Sequence, residues 1–321
     1  MILPYFIRLV CLCLAAFFLV HLGLGIAVSF ITPMAIRMAQ RLDPRLAARV
    51  LLALRMSPSA LAGFLVIGLC VPSYLWLEPQ SAVEQVRWEI LITAAFGFAV
   101  GALSIARGLR AIRRSRQYDE YCRSVGSQTR VSGESSPIWV LRAPDPVFAL
   151  AGVIHPRLVV SQAIIDALSS EQLAVALRHE HAHRISRDNL KRLLILCAPL
   201  FRSSDALERS WSKFTEWAAD DAAAAGSPHR SLSLAAALVQ VARMGAAPQS
   251  PSFQTALLAD GHDLQARIDR LLRATPRCVK PRPAVSVVAL AVTATLALAL
   301  IVFLQPATLH SFHLLIERLI Q

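Results

Sequence analysis

The sequence predicts an α-helical membrane protein with four transmembrane helices and an α+β domain between the third and the fourth. Three observations carry this expectation. Four apolar runs are long enough, or nearly so, to cross about 30 Å of hydrocarbon. Arginines are massed on three of the segments flanking those runs. Between runs three and four, short β-prone stretches give way to helical periodicities.

The runs occupy residues 9–31, 59–77, 90–106 and 284–304. The first, "LVCLCLAAFFLVHLGLGIAVSFI", is too long and too poorly followed by a cleavage site for a signal peptide. Apolar residues make up 55% of the 321-residue chain and charged residues 17%, the balance of an integral membrane protein. Arg37, Arg41, Arg45, Arg49 and Arg55 follow the first run, and Arg107, Arg110, Arg113, Arg114 and Arg116 follow the third. Arg273, Arg277, Lys280 and Arg282 precede the fourth, while Glu78, Glu84 and Glu89 lie between the second and third. The positive-inside rule then puts the basic flanks in the cytoplasm and both termini outside, in a multi-pass protein of the inner (cytoplasmic) membrane. The chain divides into a membrane part at 1–106, a cytoplasmic domain at 107–282, and a fourth span with a short external tail at 283–321. Topology accounts for the net charge of +12, so the lipid bilayer is expected as a partner and nucleic acid is not. The six cysteines show no C-x-x-C spacing and suit reduced thiols.

"LDPRLAARVLLALRM" predicts a helix capped by Asp43, with Pro44 at its first position, lying on the inner leaflet. His21 lies within the first run and is expected either to serve there or to pack against another span. In the domain, 126–137 reads as a flexible surface loop and 138–161 as a small sheet of two or three strands. Helices are expected from Ser169, which with Gln172 makes a capping box, then over 190–201, 205–226 and 263–274.

The first of these helices carries "HEHAH" at residues 179–183. His179 and His183 are four apart and share one helical face, so one tetrahedral zinc can take both. Glu180, about 100° around the helix, stands beside the metal as a general base. This is H-E-x-x-H, with His181 turned to another side. In "EWAAD", Glu216 can supply the third ligand and leave the fourth position open, and Asp220 can hold the free ring N–H of His179. Glu208 and Asp221 are weaker alternatives for the third ligand. His229, His262 and Arg267 are candidates to stabilise an oxyanion.

"HEHAH" followed by "EWAAD" among transmembrane runs resembles the membrane gluzincin metalloproteases. The span order, Asp188 and "ARIDRLL" are similar to the BlaR/MecR signal-transducing type, with HtpX-type proteases second. The resemblance implies a zincin-like domain and one Zn²⁺ per chain. It also implies a zinc-dependent metalloendopeptidase acting on a cytoplasmic protein, a repressor or the chain itself, in regulated signalling. A housekeeping protease of membrane-protein quality control and a silent transducer scaffold are the alternatives. After the fourth run only "QPATLHSFHLLIERLIQ" remains, so the penicillin-binding sensor domain of the β-lactam receptors is not expected. In that fold family an edge strand beside the zinc helix pairs with the substrate backbone, and "VFALAG" is the candidate.

Overall fold

The computed structural model describes residues 4–77, 87–129, 138–142, 146–245, 264–273 and 305. The fourth apolar run at 284–304, the acidic residues 78 and 84, and His262 lie outside the described residues. Within them the chain is mostly helical, with a small mixed sheet.

Three helical stretches are long and apolar enough to cross a membrane: α1 (Tyr5–Ala39), Pro44–Leu77, and α4 (Trp88–Val125). The second consists of α2 (Pro44–Leu65), a π-turn (Val66–Cys70) and α3 (Val71–Leu77). One face of α1 is buried through Leu12, Ala15, His21, Gly25, Val28 and Thr32, spaced three to six residues apart. Its other face leaves Phe30 81% exposed, as suits a surface solvated by lipid. A Cβ on Gly97 of α4 would run into the carbonyl of Leu14, so these two helices cross with backbones close together. His21 packs its ring on Phe17 and edge-on to Phe201.

Asp43 caps α2 by accepting from the Arg45 N–H at 2.9 Å, with Pro44 in the first turn. The expected helix forms, and residues 44–65 are one helix continuous with the apolar stretch that follows. Ala47 and Leu51, each 0% exposed, pack against Leu207, Trp211 and Phe214 of α8 (Ser204–Ala224). Leu46 and Val50 on the same helix stay exposed.

α4 continues far past its apolar half and runs straight into the domain. Gly126 turns extended directly after it and begins β1 (Gly126–Thr129). The sheet adds β2 (Ile138–Leu141), β3 (Phe148–Ala151) and β4 (Arg157–Ser161), in the order β1-β2-β4-β3. β1 pairs antiparallel with β2, β2 parallel with β4, and β4 antiparallel with β3. So residues 126–129 are strand rather than loop, and the sheet has four strands rather than two or three.

Alternation along the strands separates two faces. Ile138, Val140, Phe148, Leu150, Leu158 and Val160 face a core completed by α6 (Ser170–Ser186), α9 (Pro228–Arg243) and α10 (Leu264–Leu272). Leu141, Ala151 and Val159 face the other way, onto Cys122 of α4. Each large aliphatic side chain enclosed in this way stabilises the domain by about 1.5–3 kcal/mol. Two short helices, α5 (Gln162–Ala167) and α7 (Asp188–Cys197), complete the described chain.

Candidate metal centre

α6 begins at the expected capping box: the Ser169 hydroxyl accepts from the Gln172 N–H, and the Gln172 side chain accepts from the Ser169 N–H. Two turns on, the helix presents His179, Glu180 and His183, each at most 1% exposed. α8 lies alongside. Ala219 and Ala223 keep its inward face low, so Glu216 and Asp220, one turn apart, enter the same buried space.

The ligand atoms converge. His179 Nε2 is 3.1 Å from His183 Nε2, His179 Nε2 is 3.4 Å from Glu216 Oε2, and His183 Nε2 is 3.6 Å from Glu216 Oε1. Metal–ligand bonds of about 2.0–2.1 Å in a tetrahedron give edges of about 3.4 Å, so the spacing fits one small cation. Among the described residues His179, His183 and Glu216 form the one group whose ligand atoms all lie within 4.8 Å.

The outer nitrogens of both rings face carboxylates. His183 Nδ1 is hydrogen-bonded to Asp188 Oδ2 at 2.8 Å, and His179 Nδ1 lies 3.0 Å from Asp220 Oδ1, without the alignment of a strong hydrogen bond. A ring that gives its Nδ1 proton to a carboxylate keeps a lone pair on Nε2. The two Nε2 atoms, 3.1 Å apart with the Glu216 carboxylate beside them, are placed to share one cation once deprotonated. The residues present therefore fit a bound metal ion.

Asp188 was noted in the sequence only as part of a resemblance. The structure shows how it reaches His183. Arg187, between α6 and α7, takes a left-handed conformation, φ 56°, which folds Asp188 back over the end of α6. That conformation costs a non-glycine residue about 1 kcal/mol or more. Ser186 Oγ donates to Asp188 at 2.5 Å and Lys191 Nζ at 2.8 Å. The next residue, Asn189, donates to the carbonyls of Leu150 and Gly152 at 3.1 and 2.7 Å. This ties the start of α7 to β3, which lies at the end of the sheet order beside α6.

Electrostatics separate the groups. Burial raises the Glu180 carboxyl, and the nearby histidines lower it only in part, leaving it at about 7. Neither Glu180 oxygen meets a hydrogen-bond donor among the described residues. Burial lowers the His183 imidazole, but Glu216 and Asp188 outweigh it and push it up to about 10. His179 is also raised: burial acts against it, and Asp220 and Glu216 prevail. Burial would raise Glu216, yet His183 and Arg267 hold it well below the usual carboxylate range. Asp220, likewise opposed by burial, is held at about 2 by Arg267 and His179.

The remaining candidates are dispersed. Arg267 of α10 is buried and forks onto Asp220, Nε to Oδ2 at 2.9 Å and Nη2 to Oδ1 at 2.8 Å. Its Nη1 lies 3.1 Å from Glu216 Oε2, so it meets the site from behind the ligands. His229 is exposed, with Nδ1 2.6 Å from Glu171, and does not join the cluster. Glu208 binds Arg55 of α2 at 2.9 Å and Asp221 binds Arg270 at 2.6 Å, so neither is grouped with the histidines. His181 contacts Arg184 at 2.7 Å on another side of α6. The chain matches no protein-family model and no curated protein.

Proposed function

We propose that the chain is a membrane-embedded zinc metalloendopeptidase of zincin-like (gluzincin) fold that hydrolyses a cytoplasmic protein in regulated signalling. One observation carries the reading. A buried His179, His183, Glu216 set with mutually facing ligand atoms stands beside a buried carboxyl, Glu180, that no donor among the described residues engages. A purely structural cluster has no use for a buried unpartnered carboxyl, because leaving it unsatisfied costs about 1–3 kcal/mol or more.

When bound, zinc would supply Lewis-acid activation of water and of the scissile carbonyl. The chain's own residues do the rest. His179, His183 and Glu216 would hold the ion, with Asp220 and Asp188 orienting the two rings. Glu180, at about 7, is matched to proton transfer near neutrality. It takes a proton from the attacking water and passes it to the leaving amine.

Four spans with both termini external suit the charge pattern. The basic end of α1 and the basic half of α4 adjoin the domain, and the basic start of α2 packs on α8. The domain is then on the cytoplasmic side. The substrate class, a repressor or the chain itself, rests on the resemblance of "HEHAH" and "EWAAD" to the BlaR/MecR type.

Glu180→Gln in the full-length protein tests the reading. Metal content should match wild type, while cleavage of a denatured generic protein should disappear. A Gln variant that still cuts would remove Glu180 from the reaction, and a wild type that binds zinc but cuts nothing would remove the peptidase.

A further inference from the structure

The metal ligands sit on α6 and α8, but a third helix reaches their centre. We propose that Arg267 of α10 is a positioning residue that assembles the metal centre from behind, so that the site is metal-competent only while α10 is docked. The proposal rests on the metal-centre reading and adds to it a means of regulation.

The argument begins with charge. Glu216 and Asp220 are one turn apart on α8 and almost fully buried, at 5% and 1% exposed. Two carboxylates side by side on one buried face carry like charge, and a cation between them offsets their repulsion. The residue that faces both is Arg267, itself 3% exposed. Burying an arginine is costly unless it is paired and hydrogen-bonded, and here the pairing is directed at the metal centre.

Geometry adds direction to charge. The guanidinium meets Asp220 with two parallel bonds, at 2.9 and 2.8 Å. A two-point fork fixes the plane of the carboxylate as well as its distance. Oδ1 then has one fork N–H on one side and His179 Nδ1 at 3.0 Å on the other. The chain Arg267–Asp220–His179 thus sets the orientation of a ligand ring across two helix contacts. The third nitrogen, Nη1, stands 3.1 Å from Glu216 Oε2 and draws that ligand toward the same guanidinium. Lysine could supply the charge but not the fork.

α10 has a second tie to α8 that touches no ligand. Arg270 donates to Asp221 Oδ2 at 2.6 Å and to the Trp217 carbonyl at 3.4 Å. Its guanidinium lies 5.3 Å from the Trp217 ring. Leu271 closes the α10 contribution to the core. Arg270 and Leu271 therefore dock the helix, whereas Arg267 acts on the site. Anything that lifts α10 withdraws the counter-charge of Glu216 and Asp220 in one movement. The same helix lies between α9 and the basic stretch that leads to the fourth apolar run.

The test is metal titration of the full-length protein in detergent, with zinc affinity and the visible spectrum of bound Co²⁺ as readouts. Arg267→Met should weaken zinc about ten- to a hundredfold, the scale of losing an outer-shell partner. It should also change the Co²⁺ band, because the His179 ring is no longer held through Asp220. Arg267→Lys should fall between Met and wild type. Arg270→Met, which removes one tie of α10 to α8 but leaves Leu271 and the Arg267 fork in place, should weaken zinc far less than Arg267→Met and leave the Co²⁺ band unchanged. Should Arg267→Met fail to fold, Arg267→Lys decides the matter: a lysine variant indistinguishable from wild type overturns the role of the fork. Equal weakening by Arg270→Met would reduce Arg267 to helix docking and overturn the proposal as well. Because nothing here reads proteolysis, a wild type that binds metal but cleaves nothing removes the peptidase and leaves this assignment standing. A wild type that binds no metal removes both.

Discussion

Replacing Glu208 by alanine should destabilise the chain without disturbing its metal. Arg55 projects from α2 into the seam between α2, α7 and α8 and is fully buried. Its Nε donates to Glu208 Oε1 at 2.9 Å, Nη1 to the Pro199 carbonyl at 3.2 Å and Nη2 to the Ile195 carbonyl at 3.3 Å. Those carbonyls lie at the C-terminal end of α7, where the helix dipole favours a cation. Without Glu208 the carbonyls still accept, but the guanidinium loses the counter-charge it is hydrogen-bonded to. Breaking a wholly buried pair costs about 3–5 kcal/mol. The Glu208 side chain is 27% exposed, so water already offsets part of the interaction and about 2 kcal/mol is expected. Arg55→Met also takes a donor from the Pro199 carbonyl and should cost about 4 kcal/mol. The double variant should show a coupling of about 2 kcal/mol. Unfolding of wild type, both single variants and the double variant in detergent, with zinc content measured in parallel, checks the cycle. A coupling below about 0.5 kcal/mol would mean that the pair adds nothing. Loss of zinc in the Glu208 variant would show that Glu208 belongs to the metal centre after all.

Three other outcomes follow from the site and the spans. Glu216→Ala should lose zinc outright, while Asp188→Asn should weaken it about ten- to a hundredfold by freeing the His183 ring; equal metal content in all three proteins would contradict the ligand assignment. In the metal-free site His183 is pushed up to about 10, so below that pH a metal must displace its proton. Zinc affinity should then rise with pH, about tenfold per unit for one proton released, and calorimetry in buffers of different protonation enthalpy should record the release; affinity independent of pH would refute it. A phosphatase fused after Gln321 should be active outside the cell and one fused near Gly133 should not, and the reverse pattern would place the domain on the other side of the membrane.

Local signals made part of this structure readable in advance. His179, Glu180 and His183 lie on one helix, and the spacing of Glu216 and Asp220 puts both on one face of another; helical period and metal chemistry agree there. Long apolar runs likewise announce spans. What escaped depends on contacts distant in sequence or on rare backbone geometry. Arg267 meets Asp220 across 47 residues, and no local pattern distinguishes it from an oxyanion donor. Asp188 reaches His183 only because Arg187 is left-handed, which arginine seldom is. β1 is polar and largely exposed, so it lacks the alternation that marks a strand. The apolar character of α2 was legible, but the packing of Leu51 against α8 depends on a contact distant in sequence, which no local pattern announces.

The unbroken course of α4 makes it a lever. Its apolar half ends near Ala106, and the rest, to Val125, adds about 28 Å of helix. No hinge separates the two halves, and β1 begins at the very next residue. A change in tilt of about 10° within the bilayer, well inside the range that spans adopt, would swing the far end by about 5 Å. The sheet hangs from that end. Partway along, Gly108 lies against Cys197 of α7 so closely that an added Cβ would strike the sulfur. One rod thus bears on β1 at its tip and, near its midpoint, on the helix that begins with Asp188. Displacements in the membrane would arrive at the two supports of the metal helix with different amplitudes, which is the mechanical condition for bending a site rather than merely carrying it along.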